Sequence, residues 1–463
     1  MSKGTSSVCI GWPPVQPMPA AADRLYRRPS QLRTPRFMLN KGKMPSKQLG
    51  FNRVLDGLKK RQLLLDFHFD KAAEVYEPIR NIGVGAFGIV CEAVETTSNN
   101  KVAIKKISHA SATPTLARRT LREIRVLRYI KHENIVSLRD IFRTPGALGI
   151  DVYLVMDLME GSLHQVIYNE NQPLEDELIA YFLYQLLRGL KYIHSAGIAH
   201  RDLKPSNLLV NSDCRLRIAD FGMAKLASKG HFDEAEEHCF YMTQHVSTLP
   251  YRAPELLFVM PEHGTAVDMW AVGCILAEML LKRELFPGRN VSGQIKILLN
   301  SLGKPSDKLL NQIRCEKTRR LIEHFHDACR REWEHVLFVP DRVVSESCLD
   351  LMSQLVALDA DDRIDIHQAI NHPFITSFDF YVPLESSCPF KVKMDMADVE
   401  KLSHQGLTEA LIQDVRSAES YTSGSNLLQR GPSWYQNAFK LDQDAAMRDI
   451  DFHRQRTPFR SIY

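Results

Sequence analysis

Gly83-Val84-Gly85-Ala86-Phe87-Gly88-Ile89-Val90-Cys91-Glu92-Ala93-Val94 is the stretch on which the architecture turns. Its first six residues fit G-x-G-x-x-G, a pattern with two different structural meanings. In a dinucleotide-binding loop the glycines open a helix whose N-terminus faces a pyrophosphate. Here the continuation from Ile89 to Val94 is β-branched and strand-like, so the loop is expected to be the turn of a hairpin. Glycines let such a backbone approach a phosphate with its N–H groups exposed and no side chain in between. By itself the pattern also fits an unremarkable glycine hairpin, and the surrounding residues have to decide.

Ile79–Ile82 precedes the loop as a strand, and Lys101–Ile107 follows as a third. Within the latter, Val102-Ala103-Ile104-Lys105 places a lysine among apolar neighbours, where it would be costly unpaired. Arg118–Ile130 carries Leu121, Ile124, Leu127 and Ile130 at helical spacing, and Glu123 on that helix is the natural partner for Lys105. Asp151–Leu158 reads as another strand. Beyond it the chain turns mainly helical, most clearly over Pro173–Ser195 and Ala266–Leu281. A few strands followed by many helices point to two segregated lobes of an α+β fold, not to alternating βαβ units.

Composition sets the outer limits. Of 463 residues, 44% are hydrophobic and 25% charged, which is ordinary for a globular protein with a sizeable core. No run reaches the ~18–20 uncharged apolar residues that would span a bilayer; the best candidate, Cys274–Leu281, is short and contains Glu278. No secretory leader is expected, because Val8-Cys9-Ile10 is followed at once by Gly11 and Pro13. The nine cysteines contain no C-x-x-C and read as thiols of a reducing compartment. The formal charge of +4 hides an asymmetry: residues 1–62 hold 13 Lys/Arg against Asp23 and Asp56, giving +11 there and −7 elsewhere. Seven prolines fall before residue 50, so this arm is expected to be a disordered, solvated tail. Nucleic acid is not an expected partner, nor is a membrane. Lys59-Lys60-Arg61-Gln62-Leu63-Leu64-Leu65 is read as a short helix on the domain edge in preference to a docking or nuclear-import segment.

The chemistry lies further on, in His200-Arg201-Asp202-Leu203-Lys204-Pro205-Ser206-Asn207, Asp220-Phe221-Gly222 and Ala253-Pro254-Glu255. In this order behind the glycine loop, Lys105 and Glu123, the set resembles the eukaryotic protein kinases. That resemblance implies a bilobal fold: a small β-rich lobe with one regulatory helix over 67–160, and a large helical lobe over 161–375. A basic Pro-rich arm (1–66) would precede them. A C-terminal extension (376–463) would follow, partly packed on the kinase and then disordered.

It implies ATP and Mg²⁺, with Asp202 receiving the proton of the substrate hydroxyl and Lys204 neutralising the transferred group. Asn207 and Asp220 would be the metal ligands. Ile82, Gly83, Gly85, Gly88, Val90, Lys105, Glu123, Asp157 and Met159 would surround the nucleotide, with Met156 as gatekeeper. Glu255 would pair with Arg363, and Asp268 would hold the catalytic loop. A lysine at Lys204 is similar to the serine/threonine class.

Arg119-Thr120-Leu121-Arg122-Glu123-Ile124, Asp157-Leu158-Met159-Glu160, Tyr181–Tyr192 and Leu285-Phe286-Pro287-Gly288 resemble mitogen-activated protein kinases. The likeness to the big MAP kinase branch is closest, over about residues 67–390, without that branch's long activation tail. It implies protein substrates, an upstream MAP kinase kinase, and a cytoplasmic or nuclear location.

The activation segment departs from the pattern. Thr243-Gln244-His245 stands in place of Thr-x-Tyr, so a phosphate on Thr243, met by Arg122, Arg201 and Lys225, would be the switch. His245 cannot carry the second phosphate, and Leu249 replaces the arginine that would clamp it. Pro250 replaces a tryptophan of the substrate pocket, which weakens the preference for Ser/Thr-Pro. After His372-Pro373-Phe374, Asp379 lacks the clustered carboxylates of a docking groove, so basic docking peptides should bind less well. The competing reading is a kinase-fold scaffold that binds nucleotide and partners but catalyses little; the intact set Lys105, Glu123, Asp202, Asn207 and Asp220 argues against it.

Overall fold

Five antiparallel strands, in spatial order β1-β2-β3-β5-β4, form the first sheet: β1 Tyr76–Gly85, β2 Gly88–Glu95, β3 Lys101–Ile107, β4 Leu138–Gly146 and β5 Gly149–Asp157. The computed structural model describes residues 67, 69, 74–85, 88–169, 173–227, 246–260, 263–325, 332–340, 342–380 and 387–422. The N-terminal arm with Lys59–Leu65, and the triplet Thr243-Gln244-His245, lie outside those residues.

Period-2 alternation sorts the side chains of β3 onto two faces. Val102 and Ile104 join an aromatic cluster of Phe69, Tyr76, Phe142 and Tyr153. Ala103 and Lys105 take the alternate positions and look the other way. The helix α1 (Pro114–Tyr129) sits in the same lobe, started by Pro114 and by the Thr113 side chain, which accepts from the Leu116 N–H. Its Leu121, Ile124 and Leu127 are fully buried in one apolar cluster with Ile107, Val152 and Leu154.

The large lobe is built on two long helices, α2 (Asp176–His194) and α3 (Ala266–Leu281). Acidic residues in the first turn of α2 and Lys191 and His194 in its last suit the helix dipole. Helix α3 is apolar on all sides and buried on all sides, as a central helix must be. Its Glu278 is buried between the hydroxyls of Tyr168 (2.8 Å) and Tyr251 (2.6 Å), and burial pushes its carboxyl up. Among the described residues no helix is long and apolar enough to cross a membrane. Short strands β6 (Gly161–Ser162), β7 (Ile198–Ala199), β8 (Leu208–Val210), β9 (Leu216–Ile218) and β10 (Lys225–Leu226) lie where the lobes meet.

Two C-terminal helices, α4 (Phe390–Val399) and α5 (His404–Thr422), return to the small lobe and pack on α1. Their Val392, Met396, Val399, Leu407, Leu411 and Val415 are almost completely buried. The third strand and the helix Ala266–Leu281 coincide with the sequence reading to the residue. Strand β4 went unread, because Arg139, Asp140 and Arg143 break up its apolar pattern.

Candidate active site

The glycine loop is a hairpin. Gly83 lies opposite Val90, Val84 opposite Ile89 and Gly85 opposite Gly88. Gly88 has no room for a side chain: a Cβ there would come within 2.4 Å of the Lys106 carbonyl oxygen. Ile82 and Val90 flank this turn on β1 and β2.

Below it, Lys105 Nζ contacts both Glu123 oxygens, at 2.6 and 2.8 Å, and Asp220 Oδ1 at 3.2 Å. Strand β3, helix α1 and the Asp-Phe-Gly segment thus converge on one ammonium. Burial alone would lower its pKa; Asp220 and Glu123 outweigh burial and raise it, so the lysine is charged. Burial pushes Glu123 up against the pull of Lys105, which it meets at 2.6 and 2.8 Å. Asp220 would also be raised by burial, but Lys105, Arg119 and Lys204 together hold it well below the usual carboxylate range. Its φ of 65° is left-handed, an outlier for a residue that is not glycine. Arg119 passes close to the segment: a Cβ on Gly222 would meet the Arg119 side chain at 2.7 Å.

The loop at 200–207 presents the second cluster. Asp202 lies 3.2 Å from Lys204 Nζ, and Asn207 Nδ2 donates to the Asp202 carbonyl (2.8 Å) and carboxylate (3.0 Å). With its side-chain nitrogen used twice, Asn207 has its side-chain Oδ1 left to serve as a ligand. The backbone links both clusters, since the Ala219 N–H donates to the Asn207 carbonyl at 2.9 Å and His200 Nε2 reaches the Ala219 carbonyl at 3.1 Å.

Arg201 has a left-handed φ of 67°, and Asp268 secures it. That carboxylate, 0% exposed near the start of α3, accepts from the N–H groups of His200 (2.7 Å) and Arg201 (2.8 Å) and contacts His194 Nε2 at 2.9 Å. Burial would raise its pKa, but the donors from His194, His200 and Arg201 reverse this and lower it. Deeper still, both Glu255 oxygens bond Arg363 at 2.7 Å, with the guanidinium over the Trp270 ring.

Met156 and Asp157 close β5, and Met159 follows in the link to the large lobe. Asp157 is anchored by Arg139 at 2.5 Å and by Arg217. Of the residues assigned to a phosphate, Arg122 and Lys225 meet around Glu400, at 2.7 and 4.0 Å. Thr243 lies outside the described residues. Leu249, only 3% exposed, belongs to the core, and Pro250 beside it is buried.

Arg119, Arg139, Arg217 and Glu400 were not found by sequence reasoning. Arginines are too common, and Glu400 is 278 positions from its partner. The donor chemistry fits a hard divalent cation: one amide oxygen and one carboxylate held low. Among the described residues, no three His, Cys, Asp or Glu side chains gather as a metal site of their own. A magnesium ion that keeps waters and phosphate oxygens needs no such set. A charged lysine, a carboxylate beside a second lysine and two hard oxygen donors form an arrangement able to neutralise and align a phosphoryl group.

Comparison with known proteins agrees. Residues 76–375 match the protein kinase domain. The chain is 62% identical over 398 residues to mitogen-activated protein kinase sma-5 of Caenorhabditis elegans, covering 83% of this chain and 77% of that one. It is 42% identical to mitogen-activated protein kinase 6 of Oryza sativa subsp. japonica, over 71% of this chain and 83% of that one. Identity is 40% to mitogen-activated protein kinase HOG1 of Beauveria bassiana, over 65% and 79%.

Proposed function

The chain belongs to the mitogen-activated protein kinase family and is an ATP-dependent serine/threonine protein kinase, and from that premise we propose how its residues divide the work. The family as a whole uses ATP and Mg²⁺ and acts on protein substrates; bound together, these two supply the phosphoryl group and part of its charge neutralisation. Asp202 orients the substrate hydroxyl and accepts its proton, an effect worth ~10²–10⁴-fold. Lys204 neutralises charge on the equatorial oxygens. Asn207 and Asp220 hold the metal. Lys105, kept charged and in place by Glu123, binds phosphate oxygens. Gly83, Gly85 and Gly88 bring backbone N–H groups near, while Ile82 and Val90 cover the base and the backbone at Asp157 and Met159 bonds its edge.

An upstream MAP kinase kinase phosphorylates Thr243, and that phosphate alone is the switch; His245 and Leu249 leave no second one. Substrates are serine or threonine followed by proline, with relaxed preference because of Pro250. The enzyme works in the cytoplasm, the nucleus or both.

The observation that carries this reading is the approach of Lys105 Nζ to within 3.2 Å of both the Glu123 and the Asp220 carboxylates, beside Asp202, Lys204 and Asn207. The test is phosphate incorporation by the purified full chain with magnesium, ATP and a mixture of Ser-Pro and Thr-Pro peptides. Asp202→Asn should lose about 10²-fold or more in kcat, and phosphosite mapping should find Thr243. Unchanged turnover in Asp202→Asn, or full activation in Thr243→Ala, would overturn the assigned roles.

A further inference from the structure

Arg122, Arg125 and Arg128 recur every three residues along α1, and all three reach the C-terminal helices. Arg125 and Arg128 share Asp414 of α5, at 3.0 and 3.3 Å, and Arg125 also donates to the Asp395 carbonyl at 2.9 Å. Arg122 takes Glu400, at the turn between α4 and α5. Its Nε and Nη2 donate to the two carboxylate oxygens at 2.8 Å each, the two-pronged geometry a guanidinium uses for carboxylate or phosphate. The Arg122 side chain is 4% exposed and that of Glu400 24%. Lys225 Nζ approaches the same carboxylate at 4.0 Å. A guanidinium this deeply buried needs an anion, and removing its partner is costly.

The position of Arg122 gives the pair its reach. The next residue is Glu123, whose carboxylate holds Lys105. Whatever fixes Arg122 on its side of α1 also fixes the rotation that points Glu123 into the active site.

We propose that Glu400 is a positioning residue: an anion built into the C-terminal extension that occupies the Arg122–Lys225 cluster and keeps Glu123 on Lys105 when Thr243 carries no phosphate. The enzyme therefore has a phosphate-independent level of turnover set by its own extension. A carboxylate brings one charge, against about −1.5 to −2 and three acceptor oxygens for a phosphate. Glu400 therefore holds α1 less firmly than a phosphate would, and basal turnover lies below the activated level. The inference deepens the proposed function and rests on its reading of Lys105 and Glu123 as machinery.

The experiment uses the full chain in a Thr243→Ala background, with magnesium, ATP and a peptide substrate. Glu400→Ala should lower kcat about tenfold and raise KM for ATP, a smaller effect than the ~10²-fold that a 1 Å misplacement costs. Glu400→Asp should keep most of the turnover. Formate, which brings a carboxylate back to the vacated cluster, should restore part of the Glu400→Ala rate where chloride at equal ionic strength does not. Amide exchange in α1, read independently of turnover, should quicken in Glu400→Ala and slow again with formate.

A Glu400→Ala rate within twofold of its parent overturns the proposal, as does a loss that formate leaves untouched. A Thr243→Ala parent without turnover, beside an active phosphorylated wild type, overturns it too while upholding the Thr243 switch. Wild type that never labels a substrate sinks the assigned active site instead.

Discussion

Asp268→Asn tests the link between fold and chemistry most directly, because one buried carboxylate secures a strained catalytic loop. Asp268 accepts from two backbone N–H groups, His200 at 2.7 Å and Arg201 at 2.8 Å, and contacts His194 at 2.9 Å. The left-handed backbone at Arg201 costs about 1–3 kcal/mol for such a residue. An amide has the same size but only one acceptor oxygen, so its NH₂ must face a donor. One buried N–H left without an acceptor costs about 1–3 kcal/mol, and exchanging an ionic hydrogen bond for a neutral one costs about 1 kcal/mol more. The loss of about 2–4 kcal/mol rivals the strain that Asp268 holds in check. For a domain of this size it corresponds to a fall of about 3–6 °C in Tm by calorimetry. Relaxation of Arg201 displaces its neighbour Asp202, so kcat should fall by about 10²-fold. KM for ATP should change little, because Lys105 and the Met156–Met159 link sit on other elements. A Tm within about 1 °C of wild type, with kcat within about threefold, would refute the reasoning.

In Glu255→Gln the buried Arg363 loses its counter-charge, and stability should drop by about 3–5 kcal/mol; an unchanged urea midpoint would contradict this. Gly88→Ala puts a Cβ within 2.4 Å of the Lys106 carbonyl, so the turn must shift. KM for ATP should rise about tenfold, equivalent to about 1.4 kcal/mol of lost binding, with Tm nearly constant; a KM within about twofold would show that the turn takes no part in binding. Burial would raise Asp157, but Arg139 and Arg217 outweigh it and lower its pKa. Its stabilisation is therefore complete above the unfolded value of about 3.9 and fades as pH falls through the depressed folded value. The Tm gap between wild type and Asp157→Asn should be full at pH 7 and shrink below pH ~4. A gap that does not change with pH would remove the ion pairs as its cause.

Much of this could be read in the sequence because the chemistry sits in short local runs. The strand after Gly88 settled the hairpin, and the spacing of Leu121, Ile124 and Leu127 placed Glu123 on the helix where Lys105 finds it. Ala266–Leu281 is legible from its apolarity, interrupted only by Asp268 and Glu278. What escaped depends on distance along the chain. Arg139 and Arg217 meet on Asp157 from two different strands. The resemblance implies a C-terminal extension packed on the kinase, but no local signal pairs its Glu400 and Asp414 with the arginines of α1. An alternating pattern interrupted by charge, as in β4, also defeats a reading by period, because edge strands leave one side to solvent.

The altered activation segment and the Glu400 contact bear on each other. A phosphate switch works where the phosphate binds its cations more firmly than the anion they hold without it. Leu249, in place of a clamping arginine, is packed into the core with Tyr251 and Leu257. A guanidinium at that position would have to be buried, which is costly without a partner. Leu249 therefore packs and binds no anion. Arg122 and Lys225 kept their charge, and in the folded chain a carboxylate from the extension meets both. On the proposed reading His245 and Leu249 serve no second phosphate, while Arg122 and Lys225 meet an anion from within the chain. On this view α1 balances two demands: its Glu123 side serves the nucleotide lysine, and its arginine side is held by residues nearly 300 positions further on. The sensitivity of the site to what happens at its C-terminal helices follows from that geometry.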